Sequence, residues 1–330
     1  MALQALPPSA RDYSRAQRRE IVEAIAAVKR QWRRMPPGSS WDQAWLAIEP
    51  MLTRIMTTAQ RRIAAGALAY IPAVLEDTGQ TRWLDAAAEA TAAPLVGVSG
   101  DGRPVGSLAY GAVVRAGAAY DGGATAFQAL REGSQWLTMA MGTVLSDTGR
   151  AAESLGMGTR WVGGYVRMLN PPSCSRCAVL AGKRTDAEVA FKRHPGCDCR
   201  NIPASESVAG DLTVNPHDYF ASLTAGQQDR IFTKAGAEAI RSGADVNQVV
   251  NARRGMRAAQ VGGRDVLTTS EGTTRRGFAY HRLSQSAGQD IKAGRYRSAR
   301  RPRLMPETIR AIATDQADYL RLLRANGYLI

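Results

Sequence analysis

Aromatic residues are scarce in this chain, 6% of 330 residues. Alanine and small aliphatics must therefore do much of the packing, which favours close-packed helices over a large sheet. Histidine is scarcer still, with three, and cysteine has four. No run of about 18 strongly apolar residues occurs, so no membrane span is expected. The N-terminus MALQALPPSARDYS lacks a charged start followed by an apolar stretch, so no secretory leader is expected. A protein kept in a reducing cytosol uses paired cysteines more often for metal or redox chemistry than for structural disulfides. The glycine-rich stretch 94–111 reads as a loop with short extended segments; it contains neither G-x-G-x-x-G nor G-x4-G-K-[ST], and Ser99 is not in a G-x-S-x-G elbow. No repeat of fixed period is present.

Positive charge is abundant. The net charge is +14, with Arg far outnumbering Lys. Such an excess suits an acidic partner, nucleic acid above all, although a solvated basic surface is the plainer reading. Between Asn251 and Arg303 there are 12 Arg and one Lys against Asp265, Glu271 and Asp290, so 13 − 3 leaves +10 in this one stretch. It is rich in Gly, Ser and Thr, which predicts an extended or weakly ordered arm. Arg253, Arg254, Arg257, Arg275, Arg276, Arg295, Arg297, Arg300, Arg301 and Arg303 are its candidate phosphate contacts. A guanidinium fork pairs two oxygens at once, without reading bases.

The apolar periodicity predicts a mainly helical chain. Ile21, Ile25, Val28 and Trp32 share one face of a helix over 11–34 whose other face is basic. Ser40 and Gln43 form a capping-box signature ahead of Trp41, Trp45, Ile48, Leu52 and Ile55, with Pro50 predicting a kink or break. Helices are also expected over 81–93, 125–146, 225–241 (capped by Thr224, with Gln227 at N3), 246–254 and from Pro306 onward. Gly149–Gly158 reads as a turn region, and Arg160–Leu169 reads as a strand. The resulting scheme is mainly α. A helical part over 1–150 is followed by a small α+β Cys/His module over 151–205, a helical segment over 206–255, a basic arm over 256–303 and a last helix over 304–330.

The chemistry-bearing residues cluster in the module. Cys174-x2-Cys177 and Cys197-x-Cys199 are separated by 19 residues, and His194 stands three before the second pair. Two close pairs of soft ligands suit a four-coordinate structural Zn2+. Cys174, Cys177, Cys197 and Cys199 are the favoured set, with His194 replacing one cysteine as the variation. Disulfides, reduced thiols and a redox pair are the competing readings, though no thioredoxin-like βαβ context accompanies the C-x-x-C.

Cys174-x2-Cys177, Leu180-x-Gly182-Lys183 and His194-Pro195-x-Cys197-x-Cys199 together resemble the C-terminal signature of MuF-like phage head morphogenesis proteins. The runs Gln228-Asp229-Arg230, Lys234-Ala235-Gly236-Ala237, Gly243-Ala244-Asp245, Gln248–Arg253 and Glu271–Gly277 are similar to the branch from phages of actinobacteria. The resemblance spans roughly 150–330. It implies a minor capsid protein of a tailed phage, inside the head near the portal protein and made in the host cytoplasm. It would contact the portal, the major capsid or scaffolding protein, and packaged double-stranded DNA. Some relatives are labelled maturation proteases. His194, His217 and His281 are the only histidine bases here, and no Ser/His/Asp set can be assembled from them, so a hydrolase is the alternative reading.

Overall fold

Pro7 and Pro8 start the first helix without a side-chain cap, because proline at the first helical position loses only an N–H that would be unpaired anyway. The computed structural model describes residues 6–38, 41–169, 173–189, 199–205, 215–261, 263–274, 277–286 and 303–329. They are mostly helical, with two small antiparallel sheets. The chain divides into two compact units. Unit 1 comprises 1–172 and 182–213; unit 2 comprises 173–181 and 214–330.

Unit 1 is a bundle of long helices, α1 (Pro8–Trp32), α2 (Trp41–Asp77), α3 (Val105–Asp121) and α4 (Ala126–Gly158). Val28, Trp32, Trp41, Trp45, Ile48 and Leu52 fill its main core, with Ile21, Ile25 and Ile55 packed alongside. The stripes read from sequence are thus the buried faces. The break expected at Pro50 does not occur, since α2 runs through both Pro50 and Pro72. Pro50 and Leu46, whose carbonyl loses its donor, both lie on the exposed face, where water can take over that bond. Gly133 lets α4 approach its neighbours closely. A Cβ there would stand 2.6 Å from the Trp32 ring and 2.7 Å from the Ala112 carbonyl oxygen.

Three expectations are corrected in unit 1. Residues 81–93 form no α-helix, only a 3-10 turn at Thr81–Trp83 and the first residue of another at Ala93–Leu95, because their alanines are mostly exposed. The stretch 94–111 is a loop only to Pro104. There α3 begins, its buried Val105, Ala109, Ala112, Val113 and Ala116 being a seam that the glycines obscured. Residues 149–158 are not a turn. They extend α4, with Ala152, Gly156 and Met157 buried. Gln60, fully buried, secures the loop before α3: its amide donates to the carbonyls of Leu95 and Val98 and to Thr148, and its oxygen accepts from Gly97.

The first sheet has β1 (Gly164–Met168) between β2 (Arg184–Asp186) and β3 (Arg200–Pro203), all antiparallel. Tyr165, Val166 and Ile202 pack on Ala64, Ala67, Ile71 and Val74 of α2. Tyr70 donates to the Asn201 carbonyl at 2.9 Å, and Gln80 donates to that of Pro203 at 2.7 Å.

Unit 2 is built of short helices: α5 (Ser175–Leu180), α6 (Pro216–Ala221), α7 (Ala225–Phe232), α8 (Lys234–Arg241), α9 (Val246–Ala252), α10 (Phe278–Ser286), α11 (Pro306–Ile312) and α12 (Gln316–Ala325). Its sheet runs β4 (Met256–Val261), β5 (Arg264–Thr269), β6 (Arg303–Leu304). The single helix expected over 225–241 is two, divided at Thr233, whose φ of 67° no helix accommodates. Its hydroxyl caps α8 by accepting from Gly236 and also accepts from Arg253. The expected arm over 256–303 is ordered where described, as a β-hairpin, α10 and β6; much of the remainder lies outside the described residues.

Candidate functional site

Cys174 is the N-cap of α5, and its Sγ accepts the Cys177 amide at 3.4 Å. A thiolate accepts such a bond more strongly than a thiol does. The x2 spacing places both sulfurs on one turn, Cys177 buried and Cys174 half-buried. Because α5 has only six residues, its position depends on tethers. The Ser173 amide donates to the Tyr219 oxygen at 2.8 Å, and the Tyr219 hydroxyl donates to the Ser173 carbonyl at 2.6 Å. Arg176 donates to Asn251 at 3.3 Å.

Two cysteines on one turn are the spacing that half of a tetrahedral zinc site would use. Cys174 and Cys177 belong to unit 2, whereas Cys199, fully buried, belongs to unit 1. Cys197 and His194 lie outside the described residues. The described cysteines form no disulfide with one another. Among the described residues, no three His, Cys, Asp or Glu side chains group as a metal would require.

Among the described residues, the other two histidines do not assemble with the cysteines. His217 is half exposed, with Nε2 3.6 Å from Asp245, and Asp245 in turn caps α9 by accepting from Gln248 at 2.8 Å. Two residues along a helix lie about 200° apart. Tyr219, turned toward Ser173, therefore leaves His217 on the opposite side of α6. His281 is exposed and stands edge-on to Tyr280 at 5.5 Å.

The candidate phosphate-binding arginines separate into distinct environments. Arg254 and Arg257 are exposed at the base of the hairpin, where a phosphate or carboxylate can reach them. Arg253 donates to Thr233 and forms an ion pair with Glu307. Arg303 corrects the sequence reading, because it is fully buried and has no surface to offer a partner. Its guanidinium donates to the carbonyls of Asn326 (2.8 Å), Gly327 (3.1 Å) and Glu271 (3.2 Å) and to the Gln248 side chain (3.1 Å). It also lies 4.1 Å from the Tyr328 ring centroid. Asn326 and Gly327 close a Schellman turn, with Tyr328 N–H on the Leu323 carbonyl and Gly327 N–H on that of Arg324. Arg303 thus places a cation where the carbonyls and dipole of α12 are negative. Burial pulls its pKa below the ordinary arginine value and pushes the Tyr328 phenol up to about 12. Nothing in the local sequence marks this role. Arg275, Arg276, Arg295, Arg297, Arg300 and Arg301 lie outside the described residues.

No family model, curated protein or solved structure matches the chain.

Proposed function

We propose that the chain is a minor capsid protein of the MuF-like kind, structural rather than enzymatic, acting in head assembly near the portal of a tailed phage and in DNA packaging or delivery. The signature resemblance over 174–199 and the runs that follow it support this reading. The structural observation that carries it is the Cys174–Cys177 turn, a cysteine pair held on one helical turn by a backbone bond and by the Ser173–Tyr219 and Arg176–Asn251 tethers. In this reading Cys174 and Cys177 hold a structural Zn2+ together with Cys197, Cys199 or His194. The ion supplies a closed cross-link of the chain and takes part in no reaction. Arg254 and Arg257, with Arg275, Arg276, Arg295, Arg297, Arg300 and Arg301, contact phosphates or an acidic capsid surface.

Metal analysis of reduced, chelator-free protein tests the zinc site. About one equivalent is expected, and less than about 0.2 would overturn it. Duplex binding should weaken steeply with salt, because each phosphate contact releases counterions; salt-insensitive binding would remove the phosphate role. The second reading, an assembly-associated hydrolase, draws on the His217–Asp245 pair. It requires that His217→Ala abolish cleavage of a capsid protein while the protein is still incorporated into heads.

A further inference from the structure

Asn326 is the only asparagine of the chain that is followed by glycine. Such a pair is chemically labile, because glycine has no Cβ to hinder the backbone conformations that close a ring. Once the Gly327 nitrogen gives its proton to hydroxide, it can attack the side-chain amide carbon of Asn326. A new C–N bond forms, the bond to the amide nitrogen breaks, ammonia leaves and a five-membered succinimide remains. Water then opens the ring at either carbonyl. One opening gives aspartate. The other gives iso-aspartate, in which the main chain runs through the side-chain carbon.

In the fold every reacting group of this pair is held. Asn326 is 5% exposed. Its side-chain amide donates to the Leu322 carbonyl at 2.9 Å, and its side-chain oxygen accepts the Leu304 amide at 2.8 Å. The Gly327 N–H is donated to the Arg324 carbonyl at 3.0 Å, so the attacking nitrogen keeps its proton. The ψ of 7° at Asn326 turns that nitrogen a third of a circle away from the side chain about the Cα–C bond, where the ring cannot close. Arg303 fastens the turn from outside the helix, donating to the Asn326 carbonyl at 2.8 Å and the Gly327 carbonyl at 3.1 Å. The same turn could not re-form after the chemistry. Iso-aspartate lengthens the main chain by one atom between these residues, which displaces both carbonyls from Arg303 and breaks the Schellman spacing.

We propose that Asn326–Gly327 is a latent modification site, silent while α12 keeps its C-terminal turn and converted to iso-aspartate once that turn opens. An opening of this end of unit 2 is thereby recorded irreversibly. The inference depends on neither the zinc reading nor the capsid reading.

The test holds the full chain in mildly alkaline buffer and follows residue 326 by peptide mass mapping, with iso-aspartate detected by enzymatic methyl transfer. The urea-unfolded chain should convert, and the folded wild type at least about a hundredfold more slowly, since the reaction follows the open population. Arg303→Met should convert at least about tenfold faster than the folded wild type. Should Arg303→Met not fold, Gln248→Leu replaces it; it removes one acceptor of the guanidinium and should raise the rate at least about threefold. Leu52→Ala, which weakens only the unit 1 core, should stay within about twofold of wild type. An unmodified Asn326 in urea would overturn the proposal. So would a folded wild type as fast as the unfolded chain, no acceleration in the unit 2 variant, or equal acceleration in Leu52→Ala.

Discussion

Helix α2 of unit 1 spans 37 residues and buries side chains from Trp41 to Leu75, whereas the longest described helix of unit 2 has ten. The contrast extends to how helix ends are held. In unit 1, α1 and α3 begin without a side-chain cap and α4 has the Thr125/Gln128 box, while Ser40, the cap expected for α2, lies outside the described residues. In unit 2, α5, α6, α7, α8, α9 and α12 are capped by Cys174, Asn215, Thr224, Thr233, Asp245 and Asp315. A long helix with a continuous apolar stripe draws its stability from burial. A helix of six to ten residues has nearly as many unpaired end groups as paired ones, so its ends decide whether it forms. The two units therefore illustrate two ways of keeping a helix folded, by its side and by its termini.

That difference can be broken by substitution, and the chain carries a convenient reporter. All six tryptophans lie in unit 1, so their fluorescence reports unit 1, while far-ultraviolet circular dichroism reports both units. The largest effect is expected from Arg303→Met, which leaves three carbonyls and Gln248 without their donor. A loss of about 3–5 kcal/mol is expected, seen by dichroism with the tryptophan transition in place. An equal shift of both signals would end the comparison. Lysine should not rescue position 303, because a single ammonium cannot reproduce the planar fork. Leu52→Ala should cost about 2–5 kcal/mol by opening a cavity in the bundle core, this time read by tryptophan.

Smaller effects sharpen the same contrast. Gly327→Ala meets both a φ of +69° and Ala279 Cα at 2.7 Å, so about 1–3 kcal/mol should be lost from unit 2. Thr125→Ala and Thr224→Ala remove equivalent capping boxes, each worth about 0.5–2 kcal/mol. Amide exchange should rise throughout the eight-residue α7 but only in the first turn of the 33-residue α4. Equal, end-limited fraying in both would show that caps matter no more in unit 2 than in unit 1. The mildest prediction concerns alkali. Burial pushes the phenols of Tyr319 and Tyr328 up to about 12. Unfolded tyrosine ionises near pH 10, so their contribution is fully present below that and is lost as pH rises from about 10 to about 12. Tyr328→Phe keeps the ring and should flatten the decline in stability over this range.

Much of this was legible in the residues. The Thr224/Gln227 box was readable as a helix start because capping is local chemistry, decided within four residues. The Trp41–Leu52 stripe was readable because a 3.6-residue period is local geometry. The failures have physical causes as well. Residues 81–93 have helical composition, but beyond Trp83, Leu84 and Ala92 little of the stretch packs on the core, and propensity alone does not sustain so short a helix. The seam of α3 consists of alanines and valines among glycines, so it looked like a loop until a neighbouring helix covered it. For the candidate site, the Cys174–Cys177 pair was readable from its spacing. That Arg303 is enclosed was not, since its partners at 248, 271, 326 and 327 lie far along the chain.

By itself the sequence determined the helical character of both units, the Thr224 cap and the concentration of arginine after residue 251. These depend on groups within a few residues of one another, or on composition alone. Tertiary structure decided which arginines of that stretch face solvent. Arg254 and Arg257 remain outside, while Arg253 joins Glu307 and Arg303 becomes the buried cap of α12. The guanidinium is the same at each position. What differs is the set of carbonyls and carboxylates that folding brings within reach, and a buried cation persists only where those acceptors replace its water.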